Sequence, residues 1–153
     1  MVLFDYHVHT LYSPDSKMEP EEAVLAAISS GVSEICFTEH MDLGHHMDSF
    51  NRKPDFEGMY ESIQKLRLLY PEVTVGYGVE AGYINATAKA TAEILSEYPF
   101  DYVLLSTHCV DGLDCYVPES KRGRDKETAY KRYLETVYPF FMPFASKKIP
   151  EYG

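Results

Sequence analysis

Asp5-Tyr6-His7-Val8-His9-Thr10 follows the apolar run Val2-Leu3-Phe4. Successive side chains of an extended strand point to opposite faces, so the imidazoles of His7 and His9 share one face at the end of this strand. Such a pair is either a polar strand edge or two ligands of one metal ion, and the pair alone does not choose. The strand begins at the first residues, so it is expected to be the first element of the fold, with no export sequence ahead of it.

Outward from this stretch, strand-like and helix-like segments alternate. Residues 20–30 carry Ala23, Ala26, Ala27 and Ile28 at helical spacing, with Gly31 as the stop. Residues 33–38 read as a second strand, and residues 56–70 as an amphipathic helix with Met59, Ile63, Leu66 and Leu69 on one face before Pro71. Residues 73–80 are a third strand, 86–97 a third helix, 102–107 a fourth strand and 126–138 a fourth helix. Four βα units in series predict a parallel sheet with right-handed crossovers, as an open α/β sheet or as part of a closed barrel.

Either arrangement gathers its chemistry at the carboxyl ends of the strands. The first strand ends at His7 and His9, the second at Glu39-His40, the third at Glu80 and the fourth at His108. Each strand thus delivers a metal-type ligand to the same end, a convergence that favours the metal reading over a polar edge. Glu39 beside His40 reads as a group that orients a ligand rather than as a ligand itself. His45 and His46, in the polar loop that follows, read as solvated loop residues, with contact to metal or substrate as the alternative.

The chain has the length of one domain and enough apolar residues for a core. With 24 acidic against 14 basic residues its formal charge is -10, which repels a phosphate backbone and argues against nucleic acid as the main partner. Cys36, Cys109 and Cys115 form no metal-type spacing, and no membrane-length apolar run is present, so a reduced, cytoplasmic protein without membrane association is expected. Cys36 reads as a buried small hydrophobe. Lys121, Arg122 and Arg124 form the one basic cluster, either a solvated face or a cationic clamp for a phosphate. From Pro139 onward, Pro139, Pro143 and Pro150 interrupt an aromatic stretch, so residues 139–153 are expected to be an irregular tail after a domain of residues 1–138.

Taken together, Asp5-Tyr6-His7-Val8-His9-Thr10 with Ser13 and Asp15, Thr38-Glu39-His40, Gly78-Val79-Glu80 and Ser106-Thr107-His108-Cys109-Val110-Asp111-Gly112 resemble the successive motifs of the polymerase and histidinol phosphatase (PHP) superfamily, nearest to its histidinol-phosphatase branch. The resemblance runs from the first residue to about Tyr138. It implies an α/β fold whose parallel βα units form the N-terminal half of a distorted (β/α)7 TIM-like barrel, with up to three divalent metals at the carboxyl face. It further implies that His7 and His9 hold one metal, that Glu80 bridges to a second completed by His108, and that Asp15 and His40 hold a third. A carboxylate suits the bridge because its two oxygens can each serve one cation.

The activity so implied is hydrolysis of L-histidinol phosphate to L-histidinol and phosphate in histidine biosynthesis, by water activated at zinc, manganese or iron. The partner is then a small phosphate monoester. The family's later ligands come from strands beyond this sequence, so a truncated copy is expected, with fewer metals, impaired activity and self-association through an open sheet edge. Two other readings are another phosphoesterase of the superfamily and a non-catalytic half-barrel that binds metal or pairs with a complementary fragment.

Overall fold

The computed structural model describes residues 3–116, 118 and 123–145, and of residues 139–145 the backbone alone. The chain divides into two compact units, Met1–Ser106 and Thr107–Gly153. The first unit runs β1 (Phe4–Val8), α1 (Pro20–Ser29), β2 (Glu34–Met41), α2 (Phe56–Leu69), β3 (Thr74–Gly82), a 3-10 turn (Asn85–Thr87), α3 (Ala88–Glu97) and β4 (Tyr102–Ser106). Its strands form one parallel sheet in the order β1-β2-β3-β4. Local chemistry sets the helix starts: Glu19 and Glu22 form a capping box around Pro20 at the head of α1, and the Asp55 carboxylate accepts the Gly58 N–H at the head of α2.

Helices cover one face of the sheet. Ile35, Phe37 and Met41 of β2 with Val75, Tyr77, Val79 and Ala81 of β3 are buried against Val24 and Ala27 of α1 and Phe56, Met59, Ile63 and Leu66 of α2. The other face carries Cys36, Thr38 and His40 in register with Gly76, Gly78 and Glu80. Glycine is needed there: a Cβ on Gly78 would stand 2.7 Å from Cys36 Sγ and 2.9 Å from the Phe37 carbonyl oxygen. Across this face Tyr6 of β1 and Tyr102 of β4, on opposite edges of the sheet, bring their ring centroids to 5.3 Å. Flat strands at those positions would lie about 14 Å apart, so the sheet curls around this face.

Strict alternation along β1 would send Tyr6 and His7 to opposite faces. The β1–β2 register shifts between Asp5 and Val8, where an extra residue is accommodated, and the Asp5 carboxylate accepts the His7 N–H within that bulge. Beyond the bulge Val8 packs against the helix-side core, which leaves His7 and His9 on the concave face with Tyr6.

The second unit holds a hairpin the sequence reading overlooks, β5 (Cys109–Val110) with β6 (Leu113–Asp114). Asp111 and Gly112 make its two-residue turn with φ of 54° and 78°, which suits an Asp-Gly pair. Its helix α4 (Lys126–Ala145) continues past Tyr138, where the irregular tail was expected to begin. Its backbone stays helical through Pro139 and Pro143, each of which removes one helical hydrogen bond. Residues 146–153 lie outside the described residues. Among the described residues no helix is long and apolar enough to cross a membrane.

Two outcomes test this packing. Gly78→Ala is expected to lower stability by about 1–3 kcal/mol in denaturant unfolding, through overpacking against backbone, whereas Leu68→Ala, at an 84% exposed position, is expected to change it by less than about 0.5 kcal/mol. Burial pushes the Cys36 thiol up to about 12. Above its ordinary value near 9 the unfolded chain loses this proton while the folded chain keeps it, so Cys36 makes stability fall as pH rises through that window. Unfolding measured between pH 8 and 11 should therefore show a shallower decline in Cys36→Ala than in the unchanged chain.

Candidate metal centre

The carboxyl ends of β1, β2 and β3 meet around one carboxylate. Glu80, buried on β3, directs Oε2 to within 3.2 Å of His7 Nε2, 3.3 Å of His9 Nε2 and 3.3 Å of His40 Nδ1. Its other oxygen, Oε1, accepts the Ser106 hydroxyl at 2.6 Å, which fixes the rotation of the carboxylate. Ser106 reaches it because the β3–β4 register sets Gly82 opposite Ser106, two residues along the same face.

His40 joins a second group. Its Nε2 lies 3.4 Å from Asp15 Oδ2, and its ring stacks on that of His9 with centroids 4.4 Å apart and planes 2° from parallel. Two sets of donors, His7 with His9 and Glu80, and His9 with Asp15 and His40, thus each keep one ligand atom per residue within 4.8 Å of one another.

Groups behind these donors hold them in place. The Ser13 hydroxyl accepts the His40 N–H at 2.9 Å and lies 3.3 Å from His9 Nδ1, so one side chain aligns two imidazoles. Glu39 is fully buried and accepts both the Thr10 N–H and, at 2.5 Å, the Thr10 hydroxyl, which ties the end of β1 to the end of β2. Burial pushes the Glu39 carboxyl up, while hydrogen bonds from Ser13 and Thr10 pull it down. Burial and the neighbouring His40 hold His9 below its ordinary value, favouring the neutral, lone-pair form. For His40 burial acts in the same direction, but Asp42, Glu80 and Asp15 outweigh it and raise the imidazole.

The donor set fits a divalent cation. Ligand atoms about 2.0–2.1 Å from a tetrahedral zinc stand about 3.3 Å apart, and the His7 and His9 Nε2 atoms meet Glu80 Oε2 at 3.2 and 3.3 Å. Mixed imidazole and carboxylate donors suit zinc, iron or manganese. His7 and Asp15 keep side-chain exposures of 53% and 43%, so the group opens to solvent on that side.

Of the residues singled out in the sequence, His7, His9, Asp15, His40 and Glu80 come together in the first unit. His108 lies two residues past β4 in the second unit, where its carbonyl accepts the Cys115 N–H. Arg124, also there, donates to the Asp111 carboxylate at 2.8 Å beside Arg132 at 2.7 Å; Lys121 and Arg122 lie outside the described residues. His45 departs from the reading as a solvated residue: it is 3% exposed, its Nδ1 accepts the Met47 N–H, and its ring packs on Phe50, whereas His46 is exposed. Asp42 and Ser106 were not singled out as partners of the centre. Their signal was positional, one two residues past His40 and the other at the end of the strand beside Glu80.

The PHP domain family matches this chain over residues 5–144. "Probable histidinol-phosphatase" from Clostridium acetobutylicum is 34% identical over 136 residues, covering 89% of this chain and 51% of that protein. "Histidinol-phosphatase" from Lactococcus lactis is 31% identical over 137 residues, covering 88% and 50%. A crystal structure of histidinol phosphate phosphatase from Lactococcus lactis, complexed with zinc, L-histidinol and phosphate, superposes with a TM-score of 0.86 at 27% identity, over 94% of this chain and 55% of that one. The chain therefore spans about half the length of the curated relatives it matches. Its parallel βα units form the N-terminal half of a TIM-like barrel.

The clamp between β1 and β2 is open to test. Thr10→Val removes one donor from a buried carboxylate and is expected to cost about 1–3 kcal/mol in denaturant unfolding, with Thr10→Ser recovering most of the loss.

Proposed function

The chain belongs to the PHP domain family, and from that membership we propose that it carries metal ligands of a phosphatase acting on L-histidinol phosphate. The carrying observation is the approach of His7 and His9 Nε2 to one Glu80 oxygen at 3.2 and 3.3 Å, the edge length of a metal coordination shell. The relatives named histidinol-phosphatase, and the neighbour complexed with L-histidinol and phosphate, support the substrate.

In this reading His7, His9 and Glu80 hold one divalent cation, and Asp15 and His40 hold another beside His9. His108 is a further candidate ligand carried by the second unit. Such cations supply Lewis acidity and an activated water for attack on phosphorus. The chain's own part is orientation. Ser106 fixes Glu80, Ser13 aligns His9 with His40, and the Thr10–Glu39 clamp keeps the strand ends in contact. Without cations the carboxylates of Asp15, Asp42 and Glu80 would repel a phosphate dianion, so substrate binding requires the positive charge that these ligands are suited to hold.

Elemental analysis together with phosphate release from L-histidinol phosphate, in Mn²⁺, Zn²⁺ or Fe²⁺ and after chelator treatment, tests the proposal. Retained metal and chelator-sensitive release are expected. Glu80→Gln should weaken metal retention at least about 10-fold, because it removes charge shared by several donors, while His46→Ala at the exposed loop position should leave it unchanged. Release that survives chelation, or a chain that takes up none of these metals, overturns the reading.

A further inference from the structure

Asp42 is 1% exposed, directly past the end of β2. Burying an ionised carboxylate costs several kcal/mol unless it is bonded. Its Oδ2 lies 3.1 Å from His40 Nδ1, while the opposite nitrogen of that ring, Nε2, faces Asp15. A neutral imidazole carries one proton; the nitrogen that holds it donates, and only the other offers a lone pair to a metal. The site of that proton therefore decides which edge of His40 can ligate.

Aromatic contacts do not settle it. The His40 ring is stacked on His9 and meets Phe50 edge-on at 5.2 Å, which sets the plane of the ring, but both contacts are the same for either tautomer. Both ring nitrogens face a carboxylate, and the Asp42 contact to Nδ1 at 3.1 Å is shorter than the Asp15 contact to Nε2 at 3.4 Å, which favours the proton on Nδ1. Glu80 Oε2 also lies 3.3 Å from His40 Nδ1, yet that oxygen is shared with His7 and His9, and Asp42 is the nearer acceptor.

We infer that Asp42 is a positioning residue that holds the His40 proton on Nδ1 and thereby presents the Nε2 lone pair to the cation beside Asp15. The ligand role of His40 rests on the metal reading above; the proton assignment does not. A carboxylate behind a metal-binding imidazole commonly contributes about 10–100-fold to metal affinity.

Long-range ¹H–¹⁵N spectra of the metal-free full chain, recorded at a pH high enough that the raised His40 imidazole is neutral and with its signal assigned by its loss in His40→Gln, read the tautomer directly. The Nδ1–H form is expected for His40. Asp42→Ala should populate the Nε2–H form and weaken Zn²⁺ binding about 10–100-fold by competition with a chelating dye. Asp42→Asn keeps an acceptor oxygen and should retain the Nδ1–H form with a smaller loss. His40 in the Nε2–H form in the unchanged chain, or a tautomer unmoved by Asp42→Ala, overturns the inference. Should Asp42→Ala fail to fold, the unchanged chain and Asp42→Asn decide: Nδ1–H in the unchanged chain with weaker Zn²⁺ binding in Asp42→Asn upholds the assignment, and Nε2–H in the unchanged chain or unaltered Zn²⁺ binding in Asp42→Asn overturns it. Nδ1–H without any Zn²⁺ uptake sinks the metal reading and leaves the proton assignment standing.

Discussion

Glu80 Oε2 is the atom around which the first unit is arranged. It meets imidazole nitrogens from the ends of β1 and β2 at 3.2–3.3 Å while its carboxylate is buried. A buried carboxylate is tolerated in an interior only when polar partners converge on it, and here that convergence requires three strands to end at one level. Their parallel register meets that requirement, with His40 of β2 directly opposite Glu80 of β3.

The same constraint explains features remote from the ligands. Gly76 and Gly78 leave room for the Cys36 side chain on the concave face, where a Cβ at either position would stand 2.8 or 2.7 Å from Cys36 Sγ. Glu39 points away from the candidate metal donors yet steadies them, because its bonds to Thr10 hold the turn that follows His9. Ser106 does for the Glu80 carboxylate what Ser13 does for the two imidazoles. The candidate centre is therefore a set of donors oriented by a surrounding set of hydrogen-bonding groups.

Membership of the PHP domain family gives these donors a chemical context. The second unit has a separate ion-pair system: Asp111 receives Arg124 and Arg132, and Arg132 also bonds Glu135. One carboxylate thus links the hairpin turn to the segment that precedes α4 and to the body of that helix, and the guanidinium of Arg124 is engaged within the unit.

Much of this was legible in the sequence. The alternation of apolar strand runs with helical periods determined a parallel α/β arrangement, and the ligand-type residues at its strand ends marked one end of the sheet, because strand direction and side-chain chemistry are local properties. Other features depended on contacts between distant segments. The bulge in β1 that leaves His7 and His9 on the concave face reflects pairing with β2, which no alternation rule encodes. Burial of His45, the partnership of Asp42 with His40 and that of Ser106 with Glu80 were likewise decided by tertiary structure. A loop histidine and an unremarkable Asp or Ser carry no periodic signal, and what they bond to is set by which strands lie side by side and in what register.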